Sequence, residues 1–464
     1  MKRKLDLTTV EIRSHESGFS PSQQKAMEMV GRGENVFITG GAGTGKSFLI
    51  QKLVQVMRAR GKFVLLAAST GVAAYHICGV TLHRFGGIGL GHGDFSTLYT
   101  NLARKTTRVK LWQQVDVLII DEISMITTGY AKRLDRVARL VRKNQRPMGG
   151  IQVVAIGDFL QCPAITRPSD CDDFEDAEAT VPLFESRLWL EQWRMQCVAL
   201  RENFRQRADL EFATMLGRLR IARPMPQDVD TLRGRLLAQH TSVDTSDLIH
   251  LCSKRVEAEA INKLALAHLR GFTQVYKAVF TEYDLHGQPL KKKESQFTET
   301  KSKETRQPVD DELLLKVGAK VLLCYNLDVT RGLYNGARGT VLDFRRSTTL
   351  VNDTKLYPFV EFEGRGGTAL VEPHRWENVE NKLVVSTFVQ VPLILRYAIT
   401  IHKAQGMTLA KVLVTMDCFE TGQAYVALSR VGALEDLYLA NVDMKCIRAS
   451  QNAVQFYTER KLLV

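Results

Sequence analysis

The sequence has no run approaching the ~18 consecutive apolar residues needed to span a bilayer, so no segment reads as a transmembrane helix. Its start, MKRKLDLTTVEIRSHESG, has a basic triplet but lacks the apolar segment of a secretory signal. Lys2, Arg3 and Lys4 read either as a nuclear-import signal or as a solvated charge run. The early acids Asp6, Glu11 and Glu16 speak against a mitochondrial transit peptide. The eight cysteines form no C-x-x-C pair, and no Cys/His cluster has zinc or iron–sulfur spacing. The expectation is a reduced intracellular protein with scattered core thiols, nuclear or mitochondrial in a eukaryote and cytoplasmic otherwise. Internal repeats and long low-complexity segments are also missing. Acid is the scarcer charge: 50 Asp and Glu against 63 Lys and Arg leave a net charge of +13, which points to a polyanionic partner.

What is present reads as a folded chain of roughly two to four domains. The basic charge is patterned. Residues 132–146, KRLDRVARLVRKNQR, form an amphipathic helix with Leu134, Val137, Ala138 and Val141 on one face. Lys132, Arg136, Arg139 and Lys143 make a stripe on the other, either a polyanion contact or a solvated face. By contrast DCDDFEDAE, at 170–178, carries six acids in nine residues and should lie away from a phosphate backbone.

The first half alternates strands and helices. NVFITG (35–40), KFVLLAAS (62–69), VDVLIID (115–121) and IQVVAIG (151–157) are apolar and rich in β-branched residues, as in a parallel sheet covered on both faces. Residues 86–112 read as a small excursion. LIHLCSK (248–254) and KVLVTM (411–416) are candidate strands of a second α/β unit. Between them lies the charged stretch 290–307, whose Ser, Thr and Lys composition reads as a mobile loop. Short strands with turn signals follow, Asn335-Gly336 among them as a type I′ hairpin signal. The expected division is 1–200, then 201–270 with 390–464, with 271–389 a small inserted β-barrel.

The chemistry begins at GGAGTGKS, 40–47, which satisfies G-x-x-x-x-G-K-[ST] between a strand and a helix. Gly40, Gly41, Ala42, Gly43, Thr44 and Gly45 would let the backbone wrap phosphates and present amides at a helix N-terminus. Lys46 would reach the β- and γ-phosphates of ATP, and Ser47 would ligate magnesium. The strand ending at Asp121-Glu122 supplies the second component: Asp121 for the Mg2+ and Glu122 as the base. IGDFLQCP (156–163) is another strand running into a polar turn, with Asp158 or Gln161 as γ-phosphate sensor. A bland turn explains that segment equally well.

From about residue 19 onward, an ordered series of motifs resembles the petite-integration-frequency (PIF) family of superfamily-one DNA helicases. FSPSQQKA looks like its opening motif, and GGAGTGKS is followed by ASTGVAAYHICGVTLHRFGGIGLG. Then come DEISM, LDRVARLVRKNQRPMGGIQVVAIGDFLQ, ENFRQ, LRYAITIHKAQGMTL and GQAYVALSR. The resemblance implies an α/β fold of two RecA-like P-loop domains and assigns roles. Gln23 would read the adenine edge, Gln161 would link the γ-phosphate to domain movement, and Arg205 and Arg430 would reach the γ-phosphate from the second domain. Thr70, Gly71, His83 and Phe85 would line the DNA track of the first domain, with Thr400, His402 and Lys403 on the second. Phe85 reads either as a base-stacking ring or as a core phenylalanine. QCPAI departs from the family's usual Leu-Pro-Pro run, which leaves Gln161 in place but puts the packing of that turn in question.

The expected function is an ATP-dependent 5′→3′ DNA helicase that translocates on single-stranded DNA and opens tailed or forked duplexes. G-quadruplexes and RNA–DNA hybrids are further substrates to consider, in replication, repair, recombination or telomere maintenance, with the protein acting as a monomer. The polarity comes from the resemblance. A RecD-like helicase and a remodelling ATPase that does not unwind processively are the competing expectations.

Overall fold

The computed structural model describes residues 19–463 except 90, 92, 165–176, 284–287, 290–308, 326, 329–330, 334–336, 348, 350–353 and 381–382. The N-terminal basic triplet, nearly all of the acidic stretch, the Lys-rich stretch and Asn335-Gly336 lie outside the described residues. No described helix is long and apolar enough to cross a membrane.

Ten strands in two parallel sheets, numbered in chain order, position everything that follows. The first sheet holds β1 (Val36–Thr39), β2 (Val64–Ala68), β3 (Val80–Thr81), β4 (Val117–Asp121), β5 (Gln152–Gly157) and β6 (Gln196–Ala199), in the order β3-β2-β4-β5-β1-β6. All its pairings are parallel. The four apolar runs of the sequence are β1, β2, β4 and β5. Their residues alternate between two cores: Phe37, Leu118, Ile120, Val153 and Ala155 face one side, and Val36, Ile38, Val117, Ile119, Val154 and Ile156 the other. Such double-sided burial is why these strands lack a polar face. Because β4, β5 and β1 are neighbours, their C-terminal ends converge on one edge, where α/β sheets bind ligands.

The second sheet holds β7 (Ile249–Cys252), β8 (Ala398–Thr400), β9 (Val412–Val414) and β10 (Leu437–Leu439), in the order β8-β7-β9-β10 and again parallel. Its core is continuous with the first domain's edge, since Ala42 and Cys162 are buried among Leu216, Leu409, Tyr425 and Val426.

The stretch between β7 and β8 folds into antiparallel sheets of five, three and two strands. No closed barrel is found among the described residues, in contrast to the expectation. The five-stranded sheet runs from Gly367–Leu370 at one edge to Leu393–Leu395 at the other, so its last strand lies beyond residue 389. Leu333 exchanges both backbone hydrogen bonds with Asp328, at 3.0 and 2.8 Å, and Arg338 pairs with Leu322.

The helices covering the first sheet include three that the sequence pattern places differently or leaves unassigned. The amphipathic helix runs over Thr128–Arg142, started by the Thr127 hydroxyl accepting from the Tyr130 amide. The excursion contains helices Phe95–Ala103 and Thr106–Gln114, whose Leu102, Leu111 and Trp112 join the first core. The C-terminal helix Gln451–Glu459 returns to that same core, with Phe456 packed near Phe37, Phe159 and Phe184.

Candidate functional site

β1 ends at Thr39, and the glycine-rich loop turns directly into the helix Lys46–Ala59. Gly43 and Gly45 have φ of 82° and 79°, in the left-handed region that favours glycine. Space forbids a side chain there too. A Cβ on Gly43 would sit 2.6 Å from the Cβ of Arg205, and one on Gly45 would sit 2.8 Å from Gln23 Nε2. Gln23 and Arg205 therefore flank the loop. Gln23 is buried by its role in a capping box: its side chain accepts from the Ser20 amide, and the Ser20 hydroxyl accepts from its own amide. The Lys46 ammonium donates to the carbonyls of Gly40 and Gly41, at 2.7 and 2.8 Å, and so lies across its own loop. Burial lowers its pKa, against the opposing pull of Asp158, Glu122 and Asp121. Ser47 follows in the first turn of the same helix.

Asp121 is the last residue of β4, and its carboxylate accepts from the Glu122 amide at 2.9 Å. Glu122 has φ of 52°, a conformation that costs a non-glycine residue on the order of 1–3 kcal/mol and marks a held position. Burial and the adjacent Glu122 raise the Asp121 carboxyl to about 7. Burial also raises Glu122, opposed by Lys46, by a hydrogen bond from Gln405 and by Arg430.

Asp158, just past β5, is fully buried and engaged from several directions. Arg220 donates to both its oxygens at 2.9 and 2.8 Å, the Tyr457 hydroxyl donates at 3.1 Å and Gln161 Nε2 at 3.2 Å. Burial penalises its charge, but Arg220 together with Lys46 and the Leu160 amide outweighs that and holds the carboxyl below its usual range. Gln161 is thus committed to Asp158, and Gly422 at the start of the helix Gln423–Leu428 packs on the Leu160 and Gln161 carbonyls. The QCPAI departure is accommodated by burying Cys162 between the domains.

From the second domain, Arg205 donates to the Thr408 hydroxyl at 3.0 Å and to the Ser429 carbonyl at 2.8 Å. Arg430 is 1% exposed and donates to the Val426 carbonyl at 2.6 Å and the Ser429 hydroxyl at 2.8 Å. Burial, and for Arg205 the neighbouring Arg430, lower both guanidinium pKa values. The two arginines therefore sit close together on the second domain's side of the loop, with Arg430 near Glu122 in the electrostatics of both groups.

Several site residues were not singled out in the sequence. Gln405 donates to the Glu122 carboxylate at 2.8 Å, and the Ala42 amide donates to the Tyr425 hydroxyl at 2.8 Å. Phe204 is half-exposed beside Gly45, and its amide donates to the Gly43 carbonyl at 2.9 Å. These three lie inside quoted motifs, so spacing from Arg205, His402 and Arg430 was the available signal. Arg220 and Tyr457 lie outside every motif and announce themselves only through the fold.

On the proposed track, the Thr70 hydroxyl accepts from the Ala73 amide, so Thr70 and Gly71 open a helix whose N-terminus offers amide donors. Thr400 does the same for Ile401–Ala404, which carries His402 and Lys403, and Lys403 bonds Asp310 at 2.8 Å. The His83 ring packs on Tyr130 at 4.4 Å. Phe85 corrects one reading. It is 0% exposed, with its ring 4.1 Å from that of Trp112, and no face remains for a base. In the basic stripe, Lys132 pairs with Glu178, Arg136 lies over Phe95, and Arg139 pairs with Asp135 and donates to Gln192, while Arg136 and Lys143 stay exposed.

Comparisons with known proteins follow the same lines. The model of the family described as PIF1-like helicase matches residues 19–219, and that of the DNA helicase Pif1 2B domain matches 302–344. The chain is 36% identical over 444 residues to the ATP-dependent DNA helicase PIF1 of Xenopus laevis, covering 94% of this chain and 64% of that protein. It therefore spans about two-thirds or less of the length of such curated relatives. The crystal structure of Pif1 helicase from Candida albicans superposes with a TM-score of 0.76 at 34% identity, covering 95% of this chain and 99% of that one. Pif1 helicase from Bacteroides, in complex with ADP-AlF3 and ssDNA, superposes with a TM-score of 0.67 at 29% identity, covering 95% and 97%. With the loop, acids and two arginines of its motifs drawn to one cleft, and with the Candida albicans relative 34% identical and matched over 99% of its length, the chain belongs to the PIF1-like helicase family.

Proposed function

We propose that the chain is an ATP-dependent DNA helicase that moves 5′→3′ on single-stranded DNA and separates tailed or forked duplexes. The observation that carries this reading is a phosphate loop held between two α/β halves. Arg205 packs on Gly43, and Arg430 lies close enough to Glu122 to favour its charge. A site assembled from both halves is complete only while the cleft is closed, which ties each hydrolysis event to a domain movement. Glu122 takes the proton of the attacking water, Lys46 swings from its loop carbonyls to the phosphates, and the two guanidiniums stabilise the developing charge.

The donor set at the loop fits a magnesium ion. The Ser47 hydroxyl and Asp121 carboxylate are hard oxygen ligands, and burial disfavours the charged form of Asp121, which a divalent cation would restore. When bound, that ion neutralises phosphate charge. Phe204 and Gln23 flank the far side of the loop, where an adenine would lie.

The N-terminal ends of the helices Gly71–His76 and Ile401–Ala404 provide one phosphate grip on each domain. Opening and closing the cleft would then move one grip relative to the other. The reading extends to G-quadruplexes and RNA–DNA hybrids, to action as a monomer, and to genome maintenance inside the cell. The test is unwinding of 5′-tailed against 3′-tailed duplexes with ATP and magnesium. Product from 5′ tails alone is expected, and product from 3′ tails alone rejects the direction.

A further inference from the structure

Gln405 stands at the C-terminal end of the helix Ile401–Ala404, in the second domain, with its side chain against the general base of the first. A carboxylate oxygen only accepts hydrogen bonds, so the contact at 2.8 Å between Gln405 and Glu122 Oε2 must be made by the amide NH2. This fixes the orientation of the side chain and leaves its carbonyl oxygen, Oε1, on the other branch. Among the described residues that oxygen is buried with no hydrogen-bond partner, in a side chain only 7% exposed. Buried acceptors are rarely left in this state, and one beside a general base calls for a donor. Arg430 secures the position: it donates to the carbonyls of Ala404 and Met407, both at 3.4 Å, and so clamps the backbone on either side of Gln405.

We propose that Gln405 is a water-positioning residue: its Oε1 accepts one hydrogen of the attacking water while Glu122 accepts the other. The proposal rests on the ATPase reading above. In the step itself, the water oxygen forms a bond to the γ-phosphorus as the bond from that phosphorus to the β–γ bridging oxygen breaks. ADP keeps the bonding electron pair, one water proton passes to the Glu122 carboxylate, and the other hydrogen leaves with inorganic phosphate. Gln161 differs in its anchor: its amide NH2 donates to Asp158, away from the base, whereas that of Gln405 donates to Glu122 itself. Closure of the cleft therefore does more than deliver two arginines. It brings the amide that aligns the nucleophile, five residues along the chain from Thr400 on the proposed track.

The test is Gln405→Met in the full chain, which keeps the side chain's length and packing but removes both amide functions. With single-stranded DNA present, kcat for ATP hydrolysis should fall about 100-fold or more, while KM for ATP and the affinity for ADP stay within about twofold of wild type. Binding of ADP with aluminium fluoride, which mimics the in-line transition state, should weaken by a comparable factor. A structural role alone would shift ADP and ADP–aluminium fluoride binding together, and that result overturns the proposal. So does an unchanged kcat in a variant with wild-type thermal unfolding. A kcat that falls only in the presence of DNA also overturns it, since Gln405 would then relay the track to the site without holding the water. Absence of hydrolysis by the wild-type chain would instead count against the ATPase reading itself.

Discussion

Arg220 Nε and Nη2 donate to the two carboxylate oxygens of Asp158, at 2.9 and 2.8 Å, in a buried pair that joins the end of β5 to the helix Leu210–Arg220. The helix packs in the second domain's core, so the pair bridges the two halves directly behind the phosphate loop. Tyr457, from the C-terminal helix, adds a third strand to the junction. Its hydroxyl lies 2.5 Å from that of Thr39, accepts from the Phe159 amide and donates to Asp158.

Removing one member of such a pair leaves an uncompensated buried charge, at a cost of about 3–5 kcal/mol. Arg220→Met should destabilise the protein by that order in urea unfolding. Adding Asp158→Asn to it should restore part of the loss. Strictly additive losses in the double-mutant cycle would mean that the two groups do not depend on each other.

Asp121 sets up an opposition between stability and activity. Its folded pKa, about 7, lies above the ordinary carboxylate value. The folded state therefore holds the proton more tightly, and its stability falls as pH rises from about 4 through 7. Asp121→Asn should stabilise the nucleotide-free protein at pH 8 by on the order of 2 kcal/mol while hydrolysis collapses. Thermal unfolding at pH 5 and pH 8 is the check. The gain should be smaller at pH 5, and an equal gain at both values removes titration of Asp121 as its cause.

The burial of Phe85 predicts a stability phenotype in place of a binding one. Phe85→Ala should cost about 3–5 kcal/mol of folding free energy with little change in single-strand affinity per folded molecule. Loss of a stacked base would instead weaken binding by ~1–3 kcal/mol and leave unfolding alone.

Lys403 is held by Asp310 at 2.8 Å at the partly exposed edge of the track. Asp310→Asn should free it, raising single-strand affinity at low salt. Lys403→Ala should lower that affinity and flatten the salt dependence by about 0.7 in the log–log slope, one phosphate contact on a single strand. An unchanged slope in Lys403→Ala would remove Lys403 from the track.

Much of this was legible in the sequence because local rules and fold agree there. The runs that became β1, β2, β4 and β5 are apolar at both alternating sets of positions, and only a doubly covered sheet asks for that. The phosphate loop and the paired acids declare themselves because a close turn between strand and helix and an acidic strand end tolerate few residue types. What escaped depends on partners remote in sequence. The stripe from Lys132 to Lys143 has the spacing of a binding face, and spacing alone does not show that Glu178, Phe95 and Gln192 engage three of its members from other elements. The Gln405–Glu122 contact spans 283 residues of chain, and no local pattern marks it.

Lys46→Ala should abolish hydrolysis while single-strand binding remains largely intact, because the proposed grips at Thr70 and Thr400 use residues other than the loop lysine. Filter binding in parallel with phosphate release checks the division. Loss of both activities in a folded variant contradicts it.

The most direct test of a motor is ATP hydrolysis and strand separation followed in one reaction on a 5′-tailed duplex with magnesium. A helicase gives hydrolysis stimulated by the single strand, together with product strands that appear only with ATP and vanish in Lys46→Ala. Strong stimulation of hydrolysis with no product strand would contradict it and leave a DNA-dependent ATPase that remodels without unwinding.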